Sequence, residues 1–314
     1  MLAFVAKRLL LVLPVVFAVA LVCFGLVHIA PGDPLVSVLP PDASADLAEQ
    51  MRKAYGFDRP LPVQFGIWLW KALQGDLGTS IASGRSVTEE VFRAVGNTLR
   101  LAFLAAFLGF AFGALFGFLA GYYRDSWIDR VVTTISIAGV SMPHYWLGMV
   151  LVIVFSVQLG WLPAVGAGPG GWAWDWNHFQ YIILPAVTMS VIPMGIVTRT
   201  VRALVGDLLS QEFVLALRAK GLNELRIFAH VAKNAAPTAI AIMGLQLGYL
   251  LGGSILIETV FSWPGTGFLL NSAIFQRDLP LLQGTILVLA MFFVFLNLIV
   301  DVLQAAIDPR IKRG

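Results

Sequence analysis

Charge is the scarcest thing in this sequence. Of 314 residues only 12% are Asp, Glu, Lys or Arg, while 58% are hydrophobic. A soluble domain carries about a quarter charged residues, so a water-solvated globule is excluded. Uncharged apolar runs recur, near the ~20 residues a helix needs to cross a bilayer. The chain therefore reads as a polytopic membrane protein. Cysteine is almost missing: Cys23 stands alone. It can form neither an internal disulfide nor a multi-cysteine metal site. No Gly-Lys dipeptide occurs, which removes the phosphate-binding loop G-x-x-x-x-G-K-[ST]. No H-E-x-x-H and no G-x-S-x-G is present. The four histidines, His28, His144, His178 and His230, lie on separate stretches without metal-ligand spacing. The span centres hold no ionisable residue, and His144 and Asp301 stand near breaks or ends. That disfavours a proton-coupled carrier. The residues thus predict no metal and no cofactor in this chain. The formal charge of +3 points to no nucleic acid, because the cations flank apolar spans as membrane topology demands.

What is present is a series of six expected spans. Leu9 to Ile29 is the first, preceded by Lys7 and Arg8. It is long for the apolar region of a cleaved signal, so a retained span is expected. His28–Pro34, HIAPGDP, ends it through Pro31, Gly32 and Pro34. Residues 35–98 are polar and mixed in charge, with helical patches ADLAEQMRKAYGF and QFGIWLWKAL, a GDLGTS turn, and Ser86 placed to cap against Glu89. This stretch is too long for a simple connector and is expected to fold as a small helical subdomain outside the membrane. Leu101 to Tyr122 is the second span. Its Gly109, Gly113, Gly117 and Gly121 recur every four residues and share one face, which suits close helix packing in lipid. Val131 to Leu159 is the third, with a kink or break expected at Ser141-Met-Pro-His144. A loop with Trp161, Trp172, Trp174 and Trp176 but no Lys or Arg follows. Ile182–Thr198, Thr238–Ile257 and Leu282–Val300 complete the set. The expected organisation is a first span to residue 30, an extracytosolic region 31–98, a five-helix core 99–306 and a basic tail 307–314.

Orientation follows from the cations of the short loops. With the N-terminus in the cytosol, that side holds Lys7, Arg8, Arg124, Arg130, the six cations between Arg199 and Lys233, Arg310, Lys312 and Arg313. The opposite short loops hold Arg277 alone. Both termini are therefore expected in the cytosol.

The stretch Arg199–Pro237 interrupts two apolar segments and carries Arg199, Arg202, Arg218, Lys220, Arg226 and Lys233. Helix formers flank Gly221, with Asn223 close behind. Two amphipathic helical pieces hinged at Gly221-Leu222-Asn223 are expected. Such an element can press against a partner, or simply lie on anionic lipid. Trp263-Pro264-Gly265 reads either as a plain tight turn or as an outer gate or docking loop.

A set of short stretches in order carries a resemblance: KRLLLVLPV, HIAPGDP, GDLGTS, LGWLPAVG, ILPAVTMS, RAKGL at 218–222, ETVFSWPGTG at 258–267 and DPRIKR at 308–313. Over essentially its whole length the chain resembles the B-type permease subunits of bacterial ATP-binding-cassette importers for dipeptides, oligopeptides and glutathione. The resemblance implies a type I importer permease fold with six transmembrane helices, in the bacterial inner membrane. It implies a second homologous permease, one or two ATPase subunits using ATP and Mg, and an external solute-binding protein as partners. The chain itself is then not an enzyme. The resemblance also makes the hinge a coupling element, with Glu212, Ala216, Arg218, Ala219, Lys220, Gly221, Leu222 and Asn223 as contacts to the ATPase. Two departures stand out. Leu215-Ala216-Leu217 occupies the family's Glu-Ala-Ala positions, and Pro237 comes later than the proline that usually closes the motif. A self-sufficient channel or secondary carrier remains the alternative. Such a carrier usually shows inverted repeats, and none is evident between the halves.

Overall fold

The computed structural model describes residues 58–170, 173 and 175–307, with 10, 14–25, 44, 46, 49, 50 and 53 nearer the N-terminus. The expectations for Lys7 and Arg8, HIAPGDP, most of ADLAEQMRKAYGF, Trp172, Trp174 and the basic tail lie outside these residues. Among the described residues the regular structure is helical, apart from one isolated bridge between Thr79 and Ser86. The helices are α1 (Pro14–Gly25), α2 (Leu61–Leu73), α3 (Val87–Tyr122), α4 (Trp127–Ser141), α5 (His144–Leu151), α6 (Trp176–Leu209), α7 (Glu212–Ala219), α8 (Glu224–Val260), α9 (Thr266–Gln276) and α10 (Leu279–Ile307). Among the described residues three are long and apolar enough to cross a membrane: α3, α6 and Leu279–Ile299 of α10. The expected third span is a bent pair. Helix α4 and the helix His144–Gln158 meet at 102°, with Met142 and Pro143 at the break. The second of the pair widens into a π-helix over Val152–Gln158.

The described residues form two compact units. One comprises those up to Thr98 together with Pro264–Leu298, and the other Leu99–Trp263 with those from Ile299 on. In the first unit, Ala20, Leu77, Val87, Val91, Val95, Ala273, Leu281 and Leu287 form a buried apolar cluster. GDLGTS does turn, with Gly75 and Gly78 both at positive φ. Buried Asp278 holds the segment after the turn, accepting from Ser80 Oγ and from the Ala82 amide at 3.1 Å.

In the second unit the glycine face of α3 lies against the backbone of α6. A Cβ at Gly109, Gly113, Gly117 or Gly121 would stand 3.0, 2.9, 2.5 or 2.7 Å from the carbonyl oxygens of Ser190, Met194, Thr198 and Arg202. Both series advance by four residues in the same direction, so α3 and α6 run parallel at van der Waals distance. Helix α4 runs the opposite way along α6: Gly139 faces Val191, and the Ser136 carbonyl faces Gly195. At the far end of that seam Asp129, buried in α4, accepts both Nε and Nη2 of Arg202, the latter at 2.7 Å. Thr133 Oγ1 and the Asp125 amide also donate to it. Asp129 is thus a helical residue with a buried, fully used carboxylate.

Candidate functional site

The stretch 199–237 is mostly not loop. Helix α6 continues through Arg199 and Arg202 to Leu209, and α8 begins at Glu224 and runs through Pro237 without interruption. Between them only Ser210, Gln211 and residues 220–223 are outside helices. The hinge expected at Gly221 is present. The Leu222 amide donates to the Leu217 carbonyl at 3.2 Å, and the Gly221 amide to the Arg218 carbonyl at 2.9 Å. These are the two bonds of a Schellman cap, which requires a left-handed residue at the Gly221 position. Gly221 has φ +75°. Asn223 then caps the next helix, its side chain accepting from the Arg226 amide at 3.0 Å.

One face of this element is built into the unit. Val214, Ile227, Val231, Ala235 and Ala239 pack with Val197, Val201 and Val205 of α6 and Phe118 of α3. Leu217 and Leu222 close over the same cluster, supplying the apolar contact that accompanies this cap. The other face is open. Glu212, Ala216, Arg218, Ala219, Lys220, Gly221 and Asn223 are all exposed, and Leu222 is half-buried. Leu215 is 70% and Leu225 76% exposed. The open face thus combines apolar side chains with a basic rim. Lys220 and Arg226 have no ion-pair partner among the described residues, and Glu224 holds Arg218 at 3.3 Å. Glu224 also accepts from the Tyr122 hydroxyl at the end of α3. That bond first, then Arg218, keeps its carboxyl below the ordinary range, so it is an anion at neutral pH. The clamp ties the hinge to the end of α3, so the hinge and the 123–126 turn share one end of the unit.

Both family models match. Residues 113–313 fit the binding-protein-dependent transport system inner membrane component, and residues 1–102 its N-terminal membrane component. The chain belongs to this family of importer permeases. It is 41% identical over 313 residues, 99% of either chain, to the glutathione transport system permease protein GsiC of Escherichia coli strain K12. The same identity and coverage hold for GsiC of Salmonella typhi. In fold it is similar to a chain of the MetNI methionine ABC transporter in an inward-facing conformation. The TM-score is 0.56 at 18% identity, over 69% of this chain and 96% of that one. The all-helical fold and the family expected from the sequence are thereby shown.

Within this permease the eight hinge residues expected as contacts are brought together on one short segment. Sequence reasoning missed Leu225, the Glu224–Tyr122 clamp and the Asp129–Arg202 pair. The exposed Leu225 had a signal, since it lies two residues past the N-cap and off the apolar stripe of Ile227 and Val231. The two pairings link residues 102 and 73 positions apart in sequence and had none. At the turn 263–265 the three expected residues separate. The Trp263 side chain is wholly buried, and its amide donates to the Glu258 carbonyl at 2.8 Å. Pro264 is exposed, and its carbonyl accepts from Asn97 Nδ2 at 2.9 Å. Gly265 is buried and starts α9.

Proposed function

We propose that this chain is one of two permease subunits of an ATP-driven importer for peptides or glutathione-like solutes. Six spans cross the bacterial inner membrane with both termini in the cytosol. The open face of Glu212–Asn223 docks on a separate ATPase subunit. The observation that carries this reading is the Schellman-capped helix α7. It is fixed to the transmembrane core on one side and presents Leu215, Ala216, Ala219 and a basic rim on the other. A rigid mount with an unfilled face suits transmission of movement from a partner. The 41% identity to glutathione permeases supports the solute class. A second, related permease supplies the other half of the path, and an external binding protein delivers the solute. Pro264, exposed at the outer turn, is the best-placed of Trp263, Pro264 and Gly265 to touch that protein. ATP and Mg belong to the ATPase subunits.

The test is reconstitution in proteoliposomes. The chain alone is expected to hydrolyse no ATP. With the second permease, the ATPases and the binding protein, ATP-dependent uptake of glutathione or a short peptide is expected. Uptake by this chain alone without ATP would establish a self-sufficient carrier instead.

A further inference from the structure

Helix α6 uses its faces unequally. Val197, Val201 and Val205 enter the apolar cluster, and the Thr198 and Arg202 carbonyls meet the α3 glycines. Ile196, Arg199, Thr200 and Ala203 fall at i, i+3, i+4 and i+7, a single stripe. With Thr133 of α4 and Arg202 they line an open recess of about 520 Å³. That lies within the ~300–1,000 Å³ typical of small-molecule sites. The charges in the recess differ in state. Arg202 is neutralised by the bidentate Asp129 contact, with Asp125 adding to the negative field around it. Asp125 in turn faces Arg124. Thr133 Oγ1 is spent on Asp129, and Thr200 Oγ1 on the Ile196 carbonyl at 3.0 Å. Arg199 is exposed and has no hydrogen-bond or ion-pair partner among the described residues. It lies ten residues before the end of α6, about 15 Å along the axis at ~1.5 Å per residue. Lipid hydrocarbon covers a guanidinium only at high cost. The recess is therefore either wet or filled by an oxyanion.

We propose that this recess binds an oxyanion through Arg199, and that the oxyanion is a carboxylate of the transported solute at the inner mouth of the path. The inference rests on the importer reading above. Arg199 is well suited to the role, because a guanidinium grips a carboxylate with two parallel N–H donors. The neutralised Arg202 adds shape without competing charge. A lipid phosphate offers the same chemistry, and the experiment separates the two sources.

The experiment uses a chain with Cys23 replaced by Ala and Ala203→Cys as the reporter, in nanodiscs of purely zwitterionic lipid. An anionic methanethiosulfonate is expected to label Cys at 203 faster than a cationic one of similar size. Millimolar S-methylglutathione or a cysteine-free tripeptide should slow that labelling, and the same tripeptide with its carboxylates amidated should not. Adding Arg199→Gln should remove both the anion preference and the protection, whereas Arg199→Lys should keep part of each. In the reconstituted transporter, Arg199→Gln should lower uptake of the carboxylate tripeptide about ten- to hundredfold, from the ~1.5–3 kcal/mol of a charged hydrogen bond. Uptake of the amidated peptide should stay within about twofold. Equal protection by both peptides, or equal loss of both uptakes, overturns the proposal. So does an anion preference that appears only when phosphatidylglycerol is added, since the occupant is then lipid. The labelling arm needs no transport, so a complex that fails to import refutes the importer reading separately.

Discussion

Gly221 gives the sharpest handle on the proposed docking face. It holds the left-handed position of the Schellman cap at φ +75°, and an added Cβ would meet no atom within 4 Å. A substitution there meets backbone strain and no clash. Left-handed backbone costs an ordinary L residue about 1–2 kcal/mol, and Asn and Asp visit it most readily. Against a total stability of about 5–15 kcal/mol, either variant should fold and reach the membrane at wild-type levels. Gly221→Asn and Gly221→Asp have nearly the same shape and differ by one charge. In the free subunit that charge is solvated, because Lys220, Gly221 and Asn223 are exposed. On docking it is withdrawn from water, which costs up to several kcal/mol for an unpaired ion. Taking ~2 kcal/mol as a partly wet interface, association weakens about thirtyfold. ATP-dependent uptake in proteoliposomes, together with retention of the ATPase on the purified permease, reads both effects. Gly221→Asn is expected within about fivefold of wild type, as ~1 kcal/mol of residual strain implies, and Gly221→Asp near zero. Wild-type uptake by Gly221→Asp refutes docking at this turn. Equal failure of both variants assigns the loss to the cap geometry and refutes the charge argument.

Three further outcomes follow from the packing. Gly117→Ala places a Cβ 2.5 Å from the Thr198 carbonyl. Backbone must move, so a loss of about 1–3 kcal/mol should lower the melting temperature in detergent. Gly96→Ala, with nothing within 4 Å, should be neutral or stabilise by up to ~1 kcal/mol, and equal melting of the two variants contradicts the seam. Asp129→Asn leaves Arg202 without its counter-charge. Because Arg202 is 32% exposed, the expected loss is about 2–3 kcal/mol, below the usual cost of breaking a buried pair. Adding Arg202→Met should recover part of that loss in the same melting assay. Asn223→Ala removes the cap of α8 and should cost about 1 kcal/mol, seen as a small fall in melting temperature.

The parts legible in the sequence were those set by local periodicity and backbone chemistry. The four-residue glycine repeat announced a helix seam, and the α3–α6 contact uses all four. Gly221 and Asn223 announced a C-cap and an N-cap, and both are made. Met142-Pro143 announced a break in the third span. What local pattern could not give was the destination of a charge. Arg199 and Arg202 read as loop cations, yet both sit in α6, because one opens on the recess and the other meets a carboxylate from α4. Pro237 read as a boundary, yet α8 passes through it, since the apolar packing of Val231, Ala235 and Ala239 outweighs the missing amide. Trp263 read as a surface candidate, yet its side chain is wholly buried.

The docking claim is tested most directly by a photo-crosslinker placed at Leu215, the exposed apolar side chain at the centre of α7, in membranes containing the partner ATPases. The account predicts a covalent product between this chain and an ATPase subunit. The same probe at Phe103, 76% exposed on α3, should give none. A Leu215 probe that reacts with lipid alone while the complex imports at its normal rate would contradict the account.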